Sequence, residues 1–450
     1  MVEKQAYPYS RPEFLYFSED EIMLSADQCV RPVLCPKYPS KMPLYAGYAE
    51  VINAVVEVRY VTLRLTGFCL LDDNPFHIWT VMRAISITYG NFLQSGSVAA
   101  PRAEAAFFAI FDGHAGSGAA LVASRCLHEH IKARLGEVLE SIIQLDRNET
   151  LLSGRLRSDS SYSISKVRHR YRPSPVCPSH SRIQMDSVSI RCDQLVIGAL
   201  EAAFVDMDTQ ITEDKQTWRI AGGCAAIAVL VFLGKLYVAN AGDCRAVLVT
   251  DNGAQALSSD FTPATERKRL QTLTKVLFRD WFMDGWAAKT VKECDLKPPL
   301  ISESSRKKRL LNTIGVSRGF GDHHLFTVDD HLPIKPFLSS VPEVRVFDLR
   351  NLDTLSDKDV LIVASDGLWD VLTNEDAGLI VRSSLSGSEQ TEQSRYTMTA
   401  QELAIAARGY PSGSNGHRWT MNSGGSASTD DITVIEDDDD DEMISLCGED

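Results

Sequence analysis

Three apolar runs in this chain carry acidic residues at one end. Phe107-Phe108-Ala109-Ile110-Phe111 leads into Asp112, with Gly113 and His114 behind it. Val360-Leu361-Ile362-Val363-Ala364 leads through Ser365 into Asp366 and Gly367. Asp430 and Asp431 stand directly before Ile432-Thr433-Val434-Ile435. Such runs read as strands buried on both faces. A carboxylate at the end of a buried strand can meet water or a cation at the rim instead of being stranded in the core. Gly113 allows a sharp turn and a close approach of its carbonyl to an ion. Taken singly, each Asp-Gly also reads as an ordinary turn after a strand. If the strands are neighbours in space, the carboxylates repel one another unless cations sit among them. Hard oxygen ligands then select Mg²⁺ or Mn²⁺ over zinc. A pair of such ions can activate a water held in line with a phosphoryl group.

The elements that must position these residues are partly readable. Residues 47–54 alternate as a strand does. Residues 115–145 carry Leu121, Leu127, Ile131, Leu135, Val138 and Ile142 at helical spacing, and Leu195, Ala199, Ala203, Met207 and Ile211 repeat the pattern. Residues 225–249 read as a meander of antiparallel strands, with a Leu233-Gly234-Lys235 turn. Thr373-Asn374-Glu375-Asp376 caps a helix. Strands come in antiparallel clusters, with helices between the clusters instead of after each strand. The expected class is α+β: two packed antiparallel β-sheets flanked by helices, an α/β/β/α sandwich, and not a doubly wound parallel sheet.

Other stretches have less pattern. Residues 1–45 are rich in Pro and Tyr and read as an extended arm. Residues 55–102 show short apolar runs without convincing caps. Residues 150–187 read as a disordered insertion, basic and rich in Ser. Residues 436–450 read as a solvated acidic tail, with the last strand ending at Ile435. That tail holds much of the acidic excess behind a net charge of −14 over 450 residues. Nothing in the charge pattern suggests a nucleic-acid partner. No apolar run is long enough to span a membrane, and the start of the chain has no apolar signal region. The ten cysteines form no C-x-x-C pair and read as reduced, mostly buried thiols. An intracellular protein, cytoplasmic and/or nuclear, is expected.

Six motifs in order carry a resemblance: 108–118 (FAIFDGHAGSG), 222–225 (GGCA), 239–246 (ANAGDCRA), 315–322 (GVSRGFGD), 364–372 (ASDGLWDVL) and 430–434 (DDITV). Together they resemble the metal-dependent serine/threonine protein phosphatases, the protein phosphatase 2C family, over roughly residues 105–435. Residues 47–54, 279–289 and 332–349 look like the animal branch of H, J and M types. The resemblance implies hydrolysis of phosphoserine and phosphothreonine in protein substrates by two Mg²⁺ or Mn²⁺ ions. It implies that Asp112 bridges the metals, with the Gly113 carbonyl as a further ligand. Asp366 and Asp430 complete the first metal's shell, and His114 protonates the departing oxygen. Asp243, Asp322 and Asp431 match supporting positions. Residues 258–312 correspond to a flap region beside the cleft. The branch hints at phosphorylated small GTPases as substrates.

The chain also departs from that pattern. The resemblance places a basic residue and an acidic pair after the first strand, but Ala54 runs into Val55-Val56-Glu57-Val58-Arg59-Tyr60. A third-metal acid is replaced by Ile220-Ala221. The phosphate-binding cation and the second metal's carboxylates that the resemblance implies are therefore missing from their place. Two readings follow: a working metal-dependent phosphatase, or a catalytically impaired pseudophosphatase acting as a scaffold.

Overall fold

The computed structural model describes residues 31, 33, 46–51, 78–88, 102–156, 191–218, 220–281, 300–302, 307–327, 332–351, 356, 358–387, 392–412 and 418–438. The chain opens with β1 (Ala46–Val51), β2 (Ile78–Thr88) and β3 (Arg102–His114), then α1 (Gly118–Leu156) and α2 (Cys192–Trp218). Next come β4 (Gly223–Phe232), β5 (Lys235–Ala241), β6 (Arg245–Thr250), β7 (Gly253–Ala256) and α3 (Arg267–Trp281). After β8 (Phe320–Gly321), β9 (Glu343–Asp348) and β10 (Val360–Ala364) lie α4 (Asp366–Trp369), α5 (Asn374–Gly387) and α6 (Glu392–Arg408). β11 (Tyr410–Ser412), β12 (Arg418–Thr420) and β13 (Ile432–Asp438) close the described chain.

Among the described residues, one sheet runs β2-β3-β4-β5-β9, with β8 added to β4, and the other runs β1-β13-β10-β6-β7. Every pairing within them is antiparallel. The alternation of side chains across each strand explains the layers. Phe108 and Ile110 of β3, Ile227 and Val229 of β4, Leu248 of β6 and Val363 of β10 meet in the core between the sheets. Phe107, Ala109 and Phe111 face the other way and pack with Leu127, Ile131, Leu135 and Phe204 of α1 and α2. On the far side, Val247, Ile362 and Val434 pack with Val381, Tyr396 and Leu403 of α5 and α6. This is the expected helix–sheet–sheet–helix sandwich.

The helix at α5 starts as its residues specify. Asp376 donates its backbone N–H to Thr373 Oγ1 at 3.1 Å, and the Asp376 carboxylate accepts back from Thr373 N at 3.3 Å.

Several details differ from the sequence reading. Asp112, Gly113 and His114 do not form a turn after β3. They continue the strand, paired with Ala225, Cys224 and Gly223 of β4. β2 crosses the patternless 55–102 segment and pairs with β3 along its length, with Ile87 buried. Its place is set by that long-range ladder, which local pattern does not encode. α1 continues through Leu156, into the start of the segment read as an insertion. β13 runs past Ile435 to Asp438 because its backbone pairs with both β1 and β10. It is an interior strand, so its ladder bonds form whatever the side chains carry. Residues 1–30, 157–190 and 439–450 lie outside the described residues. So do 52–77 and 89–101, where the departures after Ala54 fall.

Candidate active site

The site assembles where the ends of the two sheets meet. Ser365, fully buried between β10 and α4, is the fastener. Its hydroxyl donates to the Asp431 carbonyl at 3.0 Å and accepts from Thr433 N at 3.1 Å. Gly367 lies so close to this crossing that an added Cβ would fall 2.0 Å from the Asp431 carbonyl. These contacts bring Asp366 against the Asp430-Asp431 pair. In the other sheet, β3 delivers Asp112 to the same place. Asp243 arrives from the turn between β5 and β6.

The electrostatics record this meeting. Asp112 is held well above the usual carboxylate range, first by burial, then by the charges of Asp366, Asp430, Asp243 and Asp431. Asp243 is raised in the same way, by burial and then by Asp366, with Lys307 acting against the shift. Asp366 is raised to about 6 by burial and the Asp430 charge, again opposed by Lys307. Carboxylates from both sheets thus share one half-buried, mutually repelling cluster. That is the condition a divalent cation relieves.

The cluster is not a closed cage. Among the described residues, no three acidic, imidazole or thiol groups are disposed to enclose an ion. The side chains have other partners. Asp366 Oδ2 accepts from Lys307 Nζ at 2.8 Å, and Asp430 Oδ1 accepts from Asp431 N at 3.0 Å. The donor chemistry still fits a hard cation, because Asp112, Asp366 and Asp430 supply only oxygen.

His114 shares β3 with Asp112 and points to a different partner. Its Nε2 lies 2.6 Å from Asp322 Oδ2, with the carboxylate nearly buried. Asp322 follows β8 with φ of 54°, in the left-handed region. Gly223 leaves the space for it: a Cβ there would fall 2.2 Å from Asp322 Oδ2. Asp322 is thus hydrogen-bonded to the imidazole. Asp431 supports the cluster through its backbone, and its side chain is buried.

Sequence reasoning missed three supports. Asp208 of α2 accepts from Gly321 N at 2.9 Å, His323 Nε2 at 3.0 Å and Lys335 Nζ at 2.5 Å. It thereby fixes the loop that carries Asp322. The available signal was an acid beside Met207 on the apolar stripe of α2. Glu266 binds Arg318 at 2.7 Å and Arg269 at 2.8 Å, tying the start of α3 to the 315–322 motif. Lys307 bridges Asp366 and Asp370, at 2.8 and 2.6 Å. No local pattern marks either contact.

The comparisons agree with this architecture. Residues 143–416 match the family described as "Protein phosphatase 2C". Asp112, His114 and Asp430 lie outside that span. Matches to whole relatives extend further. The chain is 39% identical to human "Protein phosphatase 1H", covering 90% of this chain and 86% of the relative. It is 40% identical to the Xenopus tropicalis protein of that name, over 90% and 87%. It is 36% identical to mouse "Protein phosphatase 1M", over 91% and 88%. The chain belongs to the protein phosphatase 2C family, in the branch of the H, J and M types, and its class is protein serine/threonine phosphatase.

Proposed function

We propose that this protein is a Mg²⁺- or Mn²⁺-dependent hydrolase of phosphoserine and phosphothreonine in proteins. The observation that carries the reading is the convergence of the half-buried Asp112, Asp243, Asp366 and Asp430 with the buried Asp431, from two sheets. Asp112, Asp366 and Asp430 would hold the metal, with the Gly113 carbonyl available beside them. Bound divalent ions supply a water of lowered pKa and offset phosphoryl charge. His114, oriented by Asp322, holds a proton for the departing Ser or Thr oxygen. With Nε2–H given to Asp322, the transferable proton is the one on Nδ1 of the doubly protonated ring.

Substrates in this reading are phosphoproteins, and phosphorylated small GTPases are the class the branch resemblance suggests. We also place the protein inside the cell, in the cytoplasm and/or nucleus. That reading is supported by the thiols of Cys126, Cys192, Cys224 and Cys244, none of which is in a disulfide among the described residues. No helix among the described residues is long and apolar enough to cross a membrane.

The deciding experiment is Mn²⁺-dependent hydrolysis of a phosphothreonine peptide by the full chain beside Asp366→Ala. Hydrolysis that Asp366→Ala abolishes is the expected result, and equal rates in the two proteins would remove the reading. A second reading, an impaired scaffold that binds phosphoproteins without turnover, is favoured by the missing basic residue and acidic pair after Ala54 and by the lack, among the described residues, of a preformed three-ligand set. It expects phosphopeptide binding without hydrolysis.

A further inference from the structure

A phosphoryl dianion approaching this cluster meets mostly negative charge. A positively charged side chain at the rim would oppose that repulsion directly. Lys307 is placed there from the flap side. Its ammonium lies 2.8 Å from Asp366 Oδ2 and 2.6 Å from Asp370 Oδ2, and its side chain is about half exposed, at 52%. The two carboxylates differ in role. Asp366 belongs to the half-buried cluster, whereas Asp370 is more open, at 39% exposure, and outside the proposed ligand set.

Asp366 and Asp370 are spaced i, i+4, and Asp370 N donates to the Asp366 carbonyl at 2.8 Å, so both acids lie along one face of a single turn. A divalent ion on Asp366 would repel the ammonium from that carboxylate. Asp370 would still anchor it at the rim, with donors turned toward any anion in the cleft.

We infer that Lys307 is a phosphoryl-binding residue of this protein, delivered by the flap region and anchored by Asp370. This rests on the metal-dependent reading above. Its role is substrate binding, and it takes the place of no metal ligand. Lysine suits the task as a mobile point charge with three donors.

The test is calorimetry on the full chain. Mn²⁺ is titrated first, and inorganic phosphate is then titrated into the Mn²⁺-loaded protein. Wild type is compared with Lys307→Met and Lys307→Arg. Loss of one charge-assisted hydrogen bond should weaken phosphate binding by about tenfold or more in Lys307→Met. Lys307→Arg should recover most of it. Mn²⁺ affinity in Lys307→Met should be equal to or above wild type, because a competing cation has gone. Equal phosphate affinity in wild type and Lys307→Met, with normal Mn²⁺ binding, overturns this inference alone. That outcome would leave Lys307 as a counter-ion of Asp366. Absence of Mn²⁺ binding in wild type removes both the metal-dependent reading and this one.

Discussion

His114 Nε2 and Asp322 Oδ2 stand 2.6 Å apart, although 208 positions separate the residues in sequence. The pairing engages Nε2 and leaves Nδ1 as the other ring nitrogen. A proton donor matters most when the leaving oxygen is a poor leaving group, as a serine or threonine alkoxide is. His114→Gln should therefore lower kcat on a phosphothreonine peptide by about 100-fold or more. The loss on p-nitrophenyl phosphate, whose leaving group needs little protonation, should be much smaller. Equal losses on both substrates would show that His114 acts otherwise than as an acid. Asp322→Asn should show the same substrate dependence to a lesser degree.

The space for that carboxylate is made by Gly223. An alanine there would place its Cβ 2.2 Å from Asp322 Oδ2 and 2.7 Å from the Phe320 carbonyl. The carbonyl is backbone paired to Cys224 and has little room to yield. Gly223→Ala should cost about 1–3 kcal/mol of stability, as overpacking does, and reproduce the Asp322→Asn activity defect. Urea unfolding beside the two-substrate assay checks both. A stable, fully active Gly223→Ala would show that Asp322 is not held by this contact.

The layered fold was legible because the apolar runs were long and their alternation clear. Phe107 to Phe111 turned out to supply both the inter-sheet core and the face under α1 and α2. The three strand-end acids were legible for the same reason. What escaped was set by pairing at a distance. β2 has no clean period and is defined by its ladder with β3. β13 extends into Glu436, Asp437 and Asp438, where composition alone reads as a tail. Asp208, Glu266 and Lys307 gain their partners across 127, 52 and 59 positions, a separation that no local pattern reports. The Asp322 motif was visible, but its role depended on finding His114 across the β3–β4 ladder.

The raised carboxylates predict how metal and pH interact. Asp366 is lifted to about 6 by burial and by Asp430, so the metal-free folded state keeps a proton there that the unfolded chain releases near pH 4. Stability from this group is full below about pH 4 and is lost as pH rises through about 6. Mn²⁺ bound at the cluster would take the place of that proton and offset the repulsion. The rise in Tm on adding Mn²⁺ to chelator-treated protein should therefore grow between pH 5 and pH 7. An increment independent of pH over that range would count against metal binding at this cluster.

Asp208 carries the opposite sign. Burial alone would raise its carboxyl, but hydrogen bonding from His323 and the Lys335 charge hold it below the usual range. Its stabilisation is present above about pH 4, where the unfolded carboxyl is already ionised, and is lost as pH falls through the lower folded value. Asp208→Asn leaves Lys335 without its buried partner and should destabilise the protein by about 3 kcal/mol at pH 7. The difference from wild type should shrink as the pH is lowered below 4. Asp208 also accepts from Gly321 N, one residue before Asp322, so the variant should lose kcat on the phosphothreonine peptide more than on p-nitrophenyl phosphate. A destabilised variant with unchanged substrate dependence would confine Asp208 to folding and separate it from the orientation of His114.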